Sequence, residues 1–331
     1  MRAVVMTAVG GPEVLELVDL EDPEPRGEHD VLVRVRAAGI NPVDYKLRSG
    51  GTLGGELPSV LGFDGAGVVE AVGDAVTRVA VGEEVYFCDG GFGPAPGTYL
   101  ELKVLDERLL ARKPARLSFV EAAGAPLVTI TASEALHHRA GLGPGARVLV
   151  QAGAGGVGHM SVQLARLAGA HVATTVSPGA KTELAGALGA ELCIDYEHED
   201  VGERVRAWSG GVGADVVHDT VGGRVFNECF GLVRPYGDLV SNVESEWDPD
   251  SIETMRKHNL RVSFAWMPAP AVFGWFAERE RQTAILERAA AAFDAGELRI
   301  QIGAVFALEQ APEAHRSLES GQIVGKAVLE L

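Results

Sequence analysis

The residues best placed to do chemistry are three glycines. Arg147-Val148-Leu149-Val150-Gln151-Ala152-Gly153-Ala154-Gly155-Gly156-Val157-Gly158 is an apolar strand running into G-x-G-x-x-G at Gly153, Gly155 and Gly158. The spacing has a physical reason. The first glycine makes the turn, and the second lets backbone approach a pyrophosphate. The third lets the following helix pack close to its strand with its N-terminus aimed at the phosphates. Val157, Met160, Leu164 and Leu167 recur three or four apart, which predicts that helix and an apolar face for it. Three glycines alone mean no more than a turn, but here strand, helix and a second strand at 171–177 agree. The reading is a dinucleotide site in which Gly153, Gly155, Gly156, Val157 and Gly158 surround the phosphates.

The end of the second strand selects the dinucleotide. An NAD site places an acid there, about 20 residues beyond the glycines, on the ribose hydroxyls. This chain has Thr174-Thr175-Val176-Ser177-Pro178-Gly179-Ala180-Lys181 and no carboxylate. Ser177 can hydrogen-bond a 2′-phosphate, Lys181 can neutralise it, and Tyr196, ending the third strand, can reach the same ribose. Ser177 as a helix cap and Lys181 as a solvated first-turn residue are the plainer alternative. The missing acid favours NADPH.

These residues need a frame. Strands are expected at 147–152, 171–177, 192–195, 214–219, 238–242 and 261–266, alternating with helices, the pattern of a doubly wound six-stranded parallel Rossmann domain. Before it, Met1–Thr7, Val31–Arg36, Gly67–Gly73 and Val81–Phe87 have the composition of strands bounded by turn formers. A helix is expected near 277–295, and the closing Lys326-Ala327-Val328-Leu329-Glu330-Leu331 reads as a strand that rejoins the first part. The α/β organisation is therefore a discontinuous β-rich domain over 1–120 and 297–331 around a dinucleotide-binding domain over 121–296.

Composition excludes some partners. The 331 residues carry 46 acidic and 29 basic side chains, a formal charge of −17, which disfavours nucleic acid and anionic membranes. No apolar run approaches the ~20 residues of a membrane span. Cys88, Cys193 and Cys229 are far apart and form no CxxC, which with the early strand in place of a signal peptide points to a cytoplasmic setting.

Beyond the glycine loop, Pro58-Ser59-Val60-Leu61-Gly62-Phe63-Asp64-Gly65-Ala66-Gly67-Val68-Val69-Glu70-Ala71-Val72-Gly73 resembles the medium-chain dehydrogenase/reductase superfamily. Gly39-Ile40-Asn41-Pro42-Val43-Asp44-Tyr45-Lys46-Leu47-Arg48-Ser49-Gly50 resembles its zinc-free quinone oxidoreductase branch. Asp219-Thr220-Val221-Gly222-Gly223 and Gly325-Lys326-Ala327-Val328-Leu329 extend the likeness over the whole chain. It implies a GroES-like catalytic domain, a Rossmann domain, a homodimer, and reduction of quinones or α,β-unsaturated carbonyl compounds. Zinc-dependent members have Cys where Asn41 stands and Gly-His-Glu where Gly62-Phe63-Asp64 stands, so no metal is expected. The four-cysteine lobe of those relatives is replaced by Gly90-Gly91-Phe92-Gly93-Pro94-Ala95-Pro96-Gly97.

Without zinc, the protein must position the substrate and stabilise an oxygen that becomes negative. Asn41, Asp44, Tyr45 and Lys46 are the catalytic candidates. Asn41, Pro42 and Asp44 are equally explained by helix initiation, as N-cap, first-turn proline and capping-box acid. A subgroup of enone reductases carries Asn-Pro-Val-Asp-x-Lys, matched by Asn41 to Lys46, which favours Lys46 as the group on cofactor or substrate oxygen. Tyr45 points about 100° away from it around a helix. The resemblance places Thr131 beside the nicotinamide-side phosphates or ribose. Trp266 and Phe273, in a Pro- and aromatic-rich stretch, suit the wall of an apolar pocket for a flat substrate, or a subunit interface. Two other functions remain open: an NADPH-binding structural or regulatory protein with little turnover, and a zinc alcohol dehydrogenase, disfavoured by the missing ligands.

Overall fold

In the computed structural model the described residues are 1–51, 56–91, 95–243 and 245–331, so residues 92–94 of the glycine-rich stretch lie outside them. The chain forms two compact units, Val128–Met267 and Met1–Leu127 with Pro268–Leu331.

The Val128–Met267 unit is built on six strands, in spatial order Leu192–Asp195, His171–Val176, Arg147–Val150, Ala214–Asp219, Val233–Ser241 and Arg261–Phe264. Every neighbouring pair is parallel. Helices on both faces explain why successive residues such as Val148, Leu149 and Val150 are all buried. Alternate side chains feed two cores. Leu149, Ala173, Val217 and Leu239 lie in one, and Val148, Val150, Val172, Val216 and Val240 in the other. The expected strands are present, and the order reverses between Arg147–Val150 and Ala214–Asp219, which makes a crevice at their carboxyl ends.

Two local details differ from the sequence pattern. The strand expected at 238–242 begins at Val233, because pairing jumps from Ala214↔Val233 to Val216↔Asp238. The skipped residues include Tyr236, at φ 61°. In helix Gly156–Leu167 the expected apolar face is buried at Met160, and Leu164 packs on the core, but smaller residues join it and its last member lies outside. Gly158, Ser161, Val162 and Ala165 are buried, whereas Leu167 is 39% exposed. A helix seated this close to its sheet needs small side chains at the contact, and Ser161 Oγ meets Nδ1 of the strand residue His218 at 3.0 Å.

The other unit has a seven-stranded sheet. Its path runs Ile302–Ala307, Lys326–Glu330, Asp30–Ile40, Asp64–Val72, Glu84–Cys88 and Ala111–Arg112, with Leu102–Asp106 also paired to Asp30–Ile40. Register shifts at Leu32/Val33 and Val35/Ala37 break the ladder of the long strand, as bulges do where a sheet curls. Leu15–Asp19, Arg2–Met6 and Ser59–Val60 form a second, three-stranded sheet. The closing strand pairs antiparallel with Asp30–Ile40, with Ala327 opposite Ile40, so residues from the two ends of the chain meet. Helix Phe276–Asp294 belongs to this unit too: the Tyr86 hydroxyl donates to the Leu286 carbonyl at 2.6 Å, and the Arg116 N–H donates to Asp294 at 3.0 Å. The unit edges at 127/128 and 267/268 thus stand apart from the expected ones at 120/121 and 296/297.

Candidate active site

At the glycine loop the three glycines differ in what they permit. A Cβ on Gly153 would stand 2.1 Å from Thr174 Oγ1, and one on Gly158 2.1 Å from the Ala152 carbonyl oxygen. Neither position accepts a side chain. Gly155 is the extended N-cap of helix Gly156–Leu167, and the first helical bond runs from the His159 N–H to the Gly155 carbonyl at 3.0 Å. Gly155 offers no side chain to cap the helix, so the N–H groups of Gly156, Val157 and Gly158 are presented to an anion. Gly153, Gly155, Gly156, Val157 and Gly158 therefore stand together at one helix start.

Neighbouring strand ends brace the loop. The Ala152 N–H donates to Thr175 Oγ1 at 3.0 Å, Thr175 Oγ1 donates to Gln151 Oε1 at 2.6 Å, and the Gly153 N–H donates to the Thr175 carbonyl at 3.1 Å. Across the crevice, Thr220 Oγ1 donates to the Gln151 carbonyl at 2.7 Å. Asp219, fully buried, accepts the N–H groups of Val221 and Gly222 and the Ser241 hydroxyl. Thr175, Gln151 and Thr220 are not readable as site residues from local pattern, because their partners lie 23 to 69 residues away. Thr-Thr at the end of the second strand and the Asp219–Gly223 motif were their only signals.

Ser177, Lys181 and Tyr196 lie where the second and third strands end. The Tyr196 N–H donates to the Val176 carbonyl at 3.3 Å, which ties the two ends together, and the Tyr196 ring is 52% exposed. Gly179, at φ 86°, is the N-cap of helix Ala180–Ala187, so Ser177 is not the cap and Lys181 sits in the first turn. Thr131 is buried in helix Pro126–Ser133. Trp266 follows the edge strand and is 47% exposed.

In the other unit, Asn41 is the N-cap of helix Pro42–Gly50 and is 1% exposed. Its amide faces inward: Nδ2 donates to Asp64 Oδ2 at 3.0 Å, and Oδ1 accepts from Lys326 Nζ. The Asn41 N–H donates to Asp44 Oδ2 at 2.7 Å, the capping-box contact expected of an acid there. Asp44 is fully buried, with the Tyr99 hydroxyl beside its carboxyl. Burial lifts the Asp44 carboxyl to about 7, against the opposing pull of the Asn41 N–H. Burial also raises Asp64, although Lys326, Asn41 and the Leu127 N–H, which donates at 2.8 Å, pull the other way. Tyr45 is half-buried, and burial followed by the charge of Glu319 raises its phenol. Lys46, next to it, is exposed.

The same helix carries Arg48, which is buried and bonds Glu319 at 2.5 Å and His315 Nδ1 at 3.2 Å. Because guanidinium only donates, Nδ1 is the acceptor and Nε2 carries the ring proton, facing the Tyr99 hydroxyl at 3.2 Å. Burial, then the nearby Arg48 charge, depresses His315 to about 3, so the ring is neutral. This chain fixes the helix bearing Tyr45 and Lys46 from below. Phe273, 57% exposed, lies against Trp275 with ring centroids 5.1 Å apart.

A doubly wound unit whose strand order reverses beside a bare glycine-lined helix start defines a dinucleotide-binding protein, here joined in one chain to a curled β-rich unit. Residues 27–115 match the family model described as alcohol dehydrogenase GroES-like domain, and residues 188–329 match that described as zinc-binding dehydrogenase. The chain is 36% identical to a quinone oxidoreductase of Pseudomonas aeruginosa, covering 99% of each protein. It is 34% identical to a 2-haloacrylate reductase of a Burkholderia species, covering 99% of this chain and 98% of that one. The structure of Escherichia coli quinone oxidoreductase complexed with NADPH superposes with a TM-score of 0.87 at 28% identity, with 100% of both chains covered. The chain belongs to the quinone oxidoreductase and enone reductase branch of the medium-chain dehydrogenase/reductase superfamily, and it is an oxidoreductase.

Proposed function

We propose that this protein is an NADPH-dependent, metal-free reductase that transfers a hydride to quinones or α,β-unsaturated carbonyl compounds. The observation that carries the reading is the bare helix start at Gly155–Gly158, set at the strand-order reversal and followed by a second strand that ends without an acid. The names of relatives in the branch, quinone oxidoreductase, 2-haloacrylate reductase and alkenal/one oxidoreductase, support the substrate class.

Gly153, Gly155, Gly156, Val157 and Gly158 would hold the pyrophosphate through backbone N–H groups. Ser177 and Lys181 would take the 2′-phosphate, Tyr196 would lie against its ribose, and Thr131 would hold the nicotinamide-side phosphate or ribose. When bound, the reduced nicotinamide supplies the hydride. Lys46 is the group offered to the substrate oxygen as hydrogen-bond donor or proton source, with Tyr45 as the second. Asn41 and Asp44 act as positioning residues, because their polar atoms are turned into the protein. Trp266 and Phe273 supply exposed aromatic surface for a flat acceptor. We also propose a cytoplasmic homodimer. Its support is the open edge strand Arg261–Phe264, last in the sheet order, and the lack, among the described residues, of any helix long and apolar enough to cross a membrane.

The test is NADPH and NADH binding measured beside turnover with a panel of quinones and enones. Tight NADPH binding with turnover on at least one acceptor is expected. Retained binding with no turnover on any acceptor would instead make this a structural or regulatory member.

A further inference from the structure

One matching family model is described as zinc-binding dehydrogenase, but it covers residues 188–329 only; the positions where zinc-dependent relatives carry ligands, Asn41 and Gly62-Phe63-Asp64, lie in the GroES-like match and do not fit a zinc ion. An amide stands at Asn41 in place of a thiolate, and Phe63 is apolar and 2% exposed. Asp64 alone keeps a carboxylate, and the structure shows what that carboxylate faces.

The Lys326 side chain is 3% exposed, and Asp64 is fully buried. An ammonium has three N–H donors, and Lys326 Nζ has three oxygens around it. These are the Ile40 carbonyl at 3.1 Å, Asp64 Oδ2 at 3.4 Å and Asn41 Oδ1 at closer range. Asn41 Nδ2 returns to the same Asp64 oxygen at 3.0 Å, which closes a ring of Lys326, Asn41 and Asp64. The backbone holds the lysine in place, since the Lys326 N–H donates to the Gln301 carbonyl at 2.8 Å and its strand pairs with Asp30–Ile40. Two charges so deeply buried persist only when each has the other and its remaining hydrogen bonds are satisfied.

We infer that the Lys326 ammonium is a built-in cation that takes the place of the metal, neutralising Asp64 and fixing the Asn41 amide at the start of helix Pro42–Gly50. This rests on the metal-free reading above and adds to it the group that excludes the metal. A divalent ion at Asn41 and Asp64 would have to displace the ammonium or face it at close range in a medium that screens poorly. Lys326 lies 285 residues from Asn41, at the other end of the chain, which hides the pairing from any local motif.

The test uses the full-length protein. Asn41→Cys/Phe63→His restores soft donors, and adding Lys326→Met removes the cation. After incubation with zinc and gel filtration, the triple variant is expected to retain about one metal per chain, at least about tenfold more than the double variant. Equal zinc in both would overturn the inference. Should those variants not fold, urea unfolding of Lys326→Met, Asp64→Asn and their combination decides. The combined variant is expected to recover most of the midpoint lost in Lys326→Met, whereas additive losses would refute the pairing. Zinc in the unaltered protein, about one per chain as purified, would defeat the metal-free reading itself and is read separately.

Discussion

Replacing Asp44 by Asn removes a buried acid while keeping its shape. Its Oδ2 accepts the Asn41 N–H at 2.7 Å, and the buried carboxyl has the Tyr99 hydroxyl beside it, so desolvation outweighs both. Burial raises the carboxyl from 3.8 in the unfolded chain to about 7 in the fold. The folded state therefore holds a proton that the unfolded state has released throughout that interval. Stability from this group is present below the unfolded value and is lost as pH rises through the folded one. Each pH unit in the window is worth about 1.4 kcal/mol, so the loss between pH 4 and pH 7 is on the order of 4 kcal/mol. Asparagine cannot titrate. Urea unfolding of both proteins in steps of about half a pH unit between about pH 4.5 and 8 should show the unaltered protein falling progressively relative to Asp44→Asn until about pH 7 and running parallel above it. His315 slopes the other way over much of this range, because its depressed value makes it lose stability as pH falls; it is common to both proteins and cancels in the difference. A difference flat to within about 0.5 kcal/mol from pH 5 to 7 would refute the account of Asp44 as a desolvated carboxyl.

Three substitutions probe the proposed site. Lys181→Glu should weaken NADPH by about tenfold or more and leave NADH nearly unchanged in parallel titrations; equal effects would remove Lys181 from the 2′-phosphate. Gly158→Ala places a Cβ 2.1 Å from the Ala152 carbonyl, which must push the helix off its strand. It should lower NADPH affinity at least about tenfold, and unchanged binding would show that the helix start does not hold the phosphates. Lys46→Ala should cut kcat about 10²-fold or more with little change in NADPH affinity, and an unaltered rate would leave Lys46 as a surface helix residue.

The sequence made the nucleotide unit legible because its signals are local. Strand, glycine turn and helix follow one another within Arg147–Leu167. The helix face is legible only in part, for a physical reason. Periodicity finds the largest apolar residues, while a helix pressed onto its sheet at Gly158 needs small ones, so Ser161 and Ala165 face in. Asn41 shows the other limit. Its place before Pro42 reads as a helix cap, and it does occupy the N-cap, but the direction of its amide depends on Lys326 and Asp64. Likewise Arg48 and Tyr99 meet through His315, 267 and 216 residues away, and no spacing rule connects them. Pattern predicts a helix near 277–295, yet only tertiary contacts such as Tyr86 with Leu286 show which sheet helix Phe276–Asp294 covers.

The central claim is metal-free hydride transfer from NADPH to a conjugated acceptor. The most direct test is to treat the protein with a strong chelator, verify its metal content, and supply NADPH deuterated at the transferring position of the nicotinamide together with an α,β-unsaturated ketone. The account predicts undiminished turnover and a saturated ketone carrying one deuterium at the β-carbon. Product without deuterium, or activity that disappears with the metal and returns with zinc, would contradict it.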